Sequence, residues 1–177
     1  SIFLIFNLTF VNSAQAGPTN VTTASVGTGG GSTAIKPQAI AFNGNGEKMF
    51  VLHNLTSGGA SSDFDRVEEY DLDTGFDISA SSISSIQATK IVKAQETAPR
   101  GLAFNNDGTK MFVVGTEDNK IHEYTLSTGF DLSSTVNFID SLSVNSQDTD
   151  PQSVAFNNDG TKMFVVGNTG DDVNEYT

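Results

Sequence analysis

Acidic side chains are the residues of this sequence best placed to do chemistry, because they concentrate in a few short segments. Only Arg66 and Lys120 oppose them there. The acids are Asp63, Asp65, Glu117, Asp118, Asp148, Asp150, Asp171 and Asp172. Clustered carboxylates are hard oxygen ligands, so they could form a cation-selective face that holds Ca²⁺. Solvation of surface loops is the simpler interpretation, and we expect no cofactor other than this Ca²⁺.

No segment supplies a complete calcium-loop pattern. The stretch DLDTGFD, with Asp71, Asp73 and Asp77, comes nearest, but its counterpart TLSTGFD drops two of the three acids. We therefore predict a turn with one Asx contact at this position rather than a metal site.

Groups suited to catalysis are scarce. His53 opens a loop and His122 lies inside a strand, so we expect both to be surface residues rather than general bases. No Gly-x-Ser-x-Gly elbow or Ser-x-x-Lys motif occurs. The absence of cysteine excludes a thiolate nucleophile, a disulfide and a Cys-based zinc site. Whether the protein is an enzyme stays open, with the balance against it.

Charge and the first residues restrict partners and location. Nine basic against 21 acidic residues among 177 give a net charge of −12, which disfavours binding to nucleic acid or to an anionic membrane surface. Residues 1–16 contain an apolar run followed by Ala14-Gln15-Ala16, the pattern of a signal peptide that is cropped at its start. The run is too short to span a bilayer, and a buried strand is the competing interpretation. We expect cleavage before Gly17 and a secreted protein (extracellular, cell-surface or periplasmic), of bacterial type since it lacks cysteine.

An internal repeat identifies the elements that would position these residues. AFNNDGTKMFVVG occurs at 103–115 and again at 155–167, with a looser copy at 41–52. The scarce residue types keep the same register, namely Met49, Met111 and Met163, Tyr70, Tyr124 and Tyr176, and Pro37, Pro99 and Pro151. Self-similarity at a period of 52 to 62 residues indicates a solenoid, a propeller or a domain array.

Each unit is predicted to contain four short strands, A to D. Strand A (PQAIAF, PRGLAF or PQSVAF) leads into a turn whose glycine, Gly108 or Gly160, should adopt positive φ. Strand B (KMFVVG) is continuously apolar, so both of its faces should be covered. Strand C carries recurring framework glutamates, and strand D follows within 83–93 or 135–144. The framework glutamates are Glu69, Glu123 and Glu175.

These units predict an all-β fold built of β-propeller blades, each with four antiparallel strands. A β-solenoid would have shorter rungs, and an immunoglobulin-like array about 100 residues per unit. Small residues recur in strand A, where blades converge and room is least. They are Ala39, Gly101 and Ser153, followed by Ala41, Ala103 and Ala155.

The predicted organisation is a signal peptide over 1–16, an N-terminal strand and Gly-rich linker over 17–36, and repeats over 37–177. The repeats are 37–98, 99–150 and a partial 151–177. A strand at 20–27 could complete the last blade. Because closed propellers typically need about 4–8 blades, we instead expect an open arc of about three blades that self-associates through its open edges.

The unit FNNDGTKMFVVG…IHEYTLSTGFDLSS resembles β-propeller repeats related to the YVTN type. It is more similar still to the "DGTKM-aromatic-VVG…YTLST" repeats of exported bacterial and phage tail-associated proteins. The resemblance covers residues 37–177 and implies a propeller fold and a display scaffold. It transfers no catalytic residue.

The B–C and D–A loops differ between units and should lie at one end of the blades, so we expect any binding site there. The candidate residues are Gln38, Arg100 and Gln152 together with the eight acids named above. Arg100 replaces a glutamine beside the axis, either in a structural ion pair or facing an anionic ligand. The predicted function is an exported, noncatalytic scaffold for binding or adhesion to a protein or glycan. The alternative is part of a lactonase-like propeller hydrolase or lyase whose active site lies partly outside this chain.

Overall fold

The fold is known from a computed structural model that describes residues 22–24, 26, 35–55 and 65–177. Within these ranges every regular element is a β-strand, which confirms the all-β prediction. The strands are β1 (Ile35–Phe42), β2 (Lys48–Leu55), β3 (Arg66–Leu72), β4 (Ile83–Ile91), β5 (Pro99–Phe104), β6 (Lys110–Gly115), β7 (Lys120–Leu126), β8 (Val136–Ser143), β9 (Pro151–Phe156), β10 (Met163–Gly167) and β11 (Val173–Tyr176). The predicted signal peptide and Asp63 lie outside the described residues.

The strands form three antiparallel sheets, and each sheet follows chain order. The first sheet is β1-β2-β3-β4, the second β5-β6-β7-β8, and the third β9-β10-β11. The registers explain why methionine and tyrosine recur, because Met111 on β6 lies opposite Phe104 on β5 and Tyr124 on β7. The equivalent methionines of the other two sheets have the same two kinds of neighbour.

The first strands of the three sheets lie side by side, β1 next to β5 and β5 next to β9. Room between them is small. A Cβ added at Gly101 would approach the Gln152 carbonyl oxygen and the Ser153 Cα to 2.9 Å. Gly101 is therefore required by the close approach of neighbouring sheets, as the sequence predicted, whereas Ser153 and Ala155 on the third sheet are exposed.

Aromatic rings fill the space between the sheets at equivalent positions. Phe50 and Phe104 lie 4.5 Å apart between the first and second sheets, and Phe112 and Phe156 lie 4.3 Å apart between the second and third. Strand B of the second sheet is covered on both faces, since Met111, Val113 and Val114 are fully buried and Phe112 is partly buried. Burial of such side chains is the main stabilising term of the fold.

The framework role predicted for the recurring glutamates is confirmed. In each sheet a lysine at or just before the start of the second strand pairs with the glutamate of the third strand. The pairs are Lys48–Glu69, Lys110–Glu123 and Lys162–Glu175. Glu69 is also buried and accepts a hydrogen bond from the Leu132 backbone N–H at 2.6 Å, which ties the first sheet to the second.

The turn glycines adopt the predicted left-handed backbone. Gly46, Gly108 and Gly160 have φ of 74°, 71° and 70°. Their surroundings differ, because the ring of Phe130 lies directly against Gly108 whereas no heavy atom comes within 4 Å of a Cβ placed at Gly160. Two identical turns thus differ only in whether a neighbouring ring covers the glycine.

We expect Gly108→Ala to lower the free energy of unfolding more than Gly160→Ala does. Both substitutions carry backbone strain of about 1–2 kcal/mol at positive φ. Only Gly108→Ala also drives a methyl group into Phe130, which adds about 1–3 kcal/mol. Urea unfolding of the two variants measures the difference, and equal losses would contradict the packing of Phe130 on the turn.

The outward faces of the first and third sheets remain apolar. Ile40 is 56 % exposed on β1, and Val166 and Val173 are 42 % and 65 % exposed on β10 and β11. Among the described residues no further sheet covers either face. Val26 packs against the first sheet, and residues 22–24 and 26 belong to no strand. The described part of 20–27 therefore does not complete the third sheet. Self-association through these faces stays a prediction.

Candidate functional site at the loop end

Two buried carboxylates hold the loops together at one end of the sheets. Glu96, in the connector after β4, accepts hydrogen bonds through Oε1 from the backbone N–H groups of Ala98 at 2.7 Å and Glu117 at 3.3 Å. Asp148, in the connector after β8, accepts from the N–H groups of Asp150 and Gly170. Each connector thus holds the loop that follows the next strand B, which confirms that the B–C and D–A loops meet at one end.

The glycine that closes strand B makes room for this carboxylate. A side chain at Gly115 would overlap the carboxyl group of Glu96, and one at Gly167 would overlap that of Asp148. The motif VVG therefore ends in glycine because a carboxylate from the previous connector occupies the adjacent space. We call this end of the sheets, comprising residues 92–98, 116–119, 144–150 and 168–172, the loop end.

The prediction that both histidines are surface residues is wrong. His53 is fully buried and His122 is 3 % exposed. His122 lies under the loop end, with its Nε2 3.4 Å from Asp118 Oδ1 and 3.7 Å from Glu96 Oε2. His53 lies within β2, with its Nε2 3.0 Å from Glu68 Oε2. For His122, the sequence pattern did not show that the connector carrying Glu96 folds over this part of the second sheet.

Glu68 is a fully buried carboxylate whose charge is compensated. Arg66 Nε donates to it at 2.7 Å, the Tyr70 hydroxyl donates at 2.5 Å, and His53 lies against its other side. Burial alone would raise the pKa of Glu68, but hydrogen bonds from His53, Tyr70 and Arg66 outweigh it and lower the pKa to about 2. The cluster is a structural ion network rather than a general base.

Arg100 and the two glutamines lie on the first strands, as predicted, but the ion pair considered for Arg100 is not found among the described residues. Arg100 Nη1 donates instead to Gln38 Oε1 at 3.3 Å, and its buried Nε has no partner there. Gln152 Nε2 donates to Asp150 Oδ1 at 2.7 Å. The strand-A polar residues therefore form two separate contacts rather than one cluster.

The acids predicted for the binding surface differ widely in exposure. Glu117, Asp171 and Asp172 are exposed, Asp118 and Asp150 are partly buried, and Asp65 and Asp148 are buried. Asp150 is also held by the Asn168 side chain at 2.9 Å. The DLDTGFD segment is the predicted turn, because Asp77 Oδ1 accepts the Ser79 N–H at 2.9 Å and Asp71 pairs with Lys48.

A cleft of about 370 Å³ lies at the opposite end of the sheets. It opens between the second and third sheets among the repeated Asn and Asp turn residues, over Phe112 and Phe156. Most of these side chains cap the turns, as Asp107 does for the Thr109 N–H at 2.9 Å. We read the cleft as the groove between adjacent sheets.

Sequence reasoning missed Glu96 and misplaced His122. A signal for Glu96 was present, because both connectors carry an acid three residues before the proline that opens the next strand A, as Glu96 and Asp148 show. No pattern marked His122, since its counterparts in the other sheets are Glu68 and Asn174.

Comparison with known proteins supports the fold. No family model and no curated protein matches the sequence. Among solved structures, a putative 6-phosphogluconolactonase from Bacteroides uniformis is similar over 81 % of this chain and 36 % of its own, with a TM-score of 0.52 and 13 % identity. A protein from Lactobacillus plantarum is similar over 82 % and 41 %, with a TM-score of 0.52 and 16 % identity. The Cps50 (Swd1) β-propeller domain of Myceliophteria thermophila is similar over 80 % and 40 %, with a TM-score of 0.50 and 13 % identity.

At these identities the likeness concerns the fold alone, and it identifies the three sheets as β-propeller blades. The chain spans less than half the length of each of these structures. In the part of the chain that the structure describes, no helix is long and apolar enough to cross a bilayer.

Proposed function

We propose that this chain is part of an exported, noncatalytic β-propeller scaffold that binds a partner through the loop end. The observation that carries the proposal is the pair of buried carboxylates, Glu96 and Asp148, which fix variable loops on a repeated framework. Variable loops on a rigid scaffold are the usual place for recognition. The relation to YVTN-type repeats and to exported proteins of this kind belongs to the same proposal.

The charge of the loop end suggests the chemistry of the partner. The exposed side chains of the loop end include Glu117, Asp171 and Asp172. Its segments carry seven acidic residues and one basic residue, Lys93, and Lys120 lies just outside them. Lys120 is already paired with Asp118 at 2.7 Å. An acidic surface of this kind favours a partner that presents basic side chains, because complementary charge accelerates association and selects partners.

We expect a variant that neutralises the loop end, Glu117→Gln/Asp171→Asn/Asp172→Asn, to bind a lysine-rich peptide about tenfold more weakly than the unmodified chain. The matched control removes the same charge from exposed acids elsewhere, Glu47→Gln/Asp73→Asn/Asp140→Asn. Fluorescence anisotropy at physiological salt, where more distant charges are largely screened, measures both. Equal weakening in the two variants would show that binding depends on net charge alone and would contradict a binding surface at the loop end.

A lactonase-like activity is the second candidate. Arg100 supports it, because a half-buried guanidinium with an unpartnered Nε beside the first strands could receive an anionic group. A putative 6-phosphogluconolactonase is among the structural neighbours, and the likeness to it is one of fold. Hydrolysis of a phosphorylated sugar lactone by this chain, lost in Arg100→Gln, would favour this function over the scaffold.

A further inference from the structure

Three side chains from separate segments meet beneath the loop end of the second blade. Glu96 comes from the connector before β5, Asp118 from the loop after β6, and His122 from β7. One ligand atom of each side chain lies within 4.8 Å of the other two, and His122 Nε2 faces Glu96 Oε2 and Asp118 Oδ1. Two ligand atoms bound to one tetrahedral Zn²⁺ at about 2.1 Å are about 3.4 Å apart, close to the 3.4 Å and 3.7 Å that separate His122 Nε2 from the two oxygens.

None of these three atoms has a hydrogen-bond partner among the described residues. Glu96 is 0 % exposed and His122 is 3 % exposed, and their separation is too long for a good hydrogen bond. A buried carboxylate oxygen and a buried imidazole nitrogen are costly when left unpaired. The geometry therefore favours a further group bound between the Glu96 carboxylate and the His122 imidazole.

The remaining oxygen of each carboxylate is already held. Glu96 Oε1 accepts the N–H groups of Ala98 and Glu117, and Asp118 Oδ2 is paired with Lys120 Nζ at 2.7 Å. Such outer contacts orient metal ligands and leave one oxygen of each carboxylate directed at the shared space.

The described residues of the neighbouring blades form no such cluster and serve as internal controls. In the third blade both oxygens of Asp148, the counterpart of Glu96, accept backbone N–H groups. In the first blade Glu68, the counterpart of His122, is satisfied by Arg66 and Tyr70. The three unpartnered atoms are thus a feature of the second blade and not of the repeated framework.

We propose that Glu96, Asp118 and His122 bind one divalent transition-metal cation of the Zn²⁺ class, with water completing its coordination. One imidazole nitrogen and two carboxylate oxygens suit Zn²⁺, whereas Ca²⁺ takes an all-oxygen set. The ion differs in class from the Ca²⁺ that the loop acids suggested, and its site shares only Asp118 with those acids. It would cross-link two loops to β7 and stabilise the second blade.

The test is titration of the EDTA-treated, dialysed chain with Zn²⁺ alone, by calorimetry and by the Tm. We expect one Zn²⁺ per chain and a higher Tm with Zn²⁺. Glu96→Gln and His122→Gln should each weaken binding at least about tenfold, since even outer-shell changes cost about 10–100-fold. Asp148→Asn, the repeat-equivalent control, should bind as the unmodified chain does.

A variant of the third ligand separates the loss of Zn²⁺ binding from misfolding. Asp118 is 32 % exposed, so Asp118→Asn should fold normally and still lose Zn²⁺ binding. The opposing explanation is a protonated His122 held between two carboxylates without metal. Zn²⁺ affinity and Tm that are unchanged by Asp118→Asn and Glu96→Gln, or an absence of Zn²⁺ binding to the unmodified chain, would overturn the proposal.

Discussion

Replacing Phe50 with alanine is expected to lower the free energy of unfolding by about 3–5 kcal/mol, the usual cost of deleting a buried aromatic ring. Phe50 is fully buried between the first and second blades. Its ring lies 4.5 Å from that of Phe104 and 6.2 Å from that of Phe130. The substitution therefore leaves a cavity at the contact between two blades, and urea unfolding monitored by circular dichroism measures its cost.

The repeat supplies the control. Phe164 occupies the same position in the third blade but is only partly buried, on a face that no other described sheet covers. Phe164→Ala should cost about 1–2 kcal/mol, within the range of ordinary substitutions. Should Phe50→Ala fail to fold, Phe50→Leu keeps most of the volume and should still cost more than Phe164→Leu. Similar losses at the two positions would mean that the blades do not stack as the structure shows.

The fold was predictable from the sequence because the repeat constrains each position three times. Strand bounds, turn glycines and the Lys–Glu pairs follow from local chemistry that is visible in every copy. The positions of Met111 and Tyr124 follow from register alone. Where three copies agree, a pattern identifies the framework.

The candidate site was less predictable because it depends on where the copies differ. Glu68, His122 and Asn174 occupy one repeat position, and each has different partners. Contact between Glu96 and His122 requires a connector to fold over a sheet, which periodicity does not encode. Asp148 and Asp65 were predicted on the binding surface, yet they are buried, since acids in loops can serve the backbone as well as solvent.

The buried carboxylate of Glu68 makes the free energy of unfolding depend on pH in the acidic range. Its pKa is lowered from 4.5 to about 2 in the folded protein, because the hydrogen bonds from His53, Tyr70 and Arg66 outweigh the effect of burial. A depressed pKa contributes stability that is complete above about pH 4.5 and is lost as the pH falls toward 2. The contribution is on the order of 3 kcal/mol, at 1.36 kcal/mol for each unit of pKa.

We therefore expect the loss in free energy of unfolding caused by Glu68→Gln to be largest near pH 7. The loss should become smaller as the pH falls from 4.5 to 2. Near neutral pH the loss also includes the contacts that Arg66 and Tyr70 make with the carboxylate. Urea unfolding at pH 7, 5, 4 and 3 gives the difference at each pH, with Glu47→Gln, an exposed acid, as the control. The difference for the control should stay constant from pH 7 to 3. A constant difference for Glu68→Gln as well would show that Arg66, Tyr70 and His53 do not stabilise the ionised carboxylate.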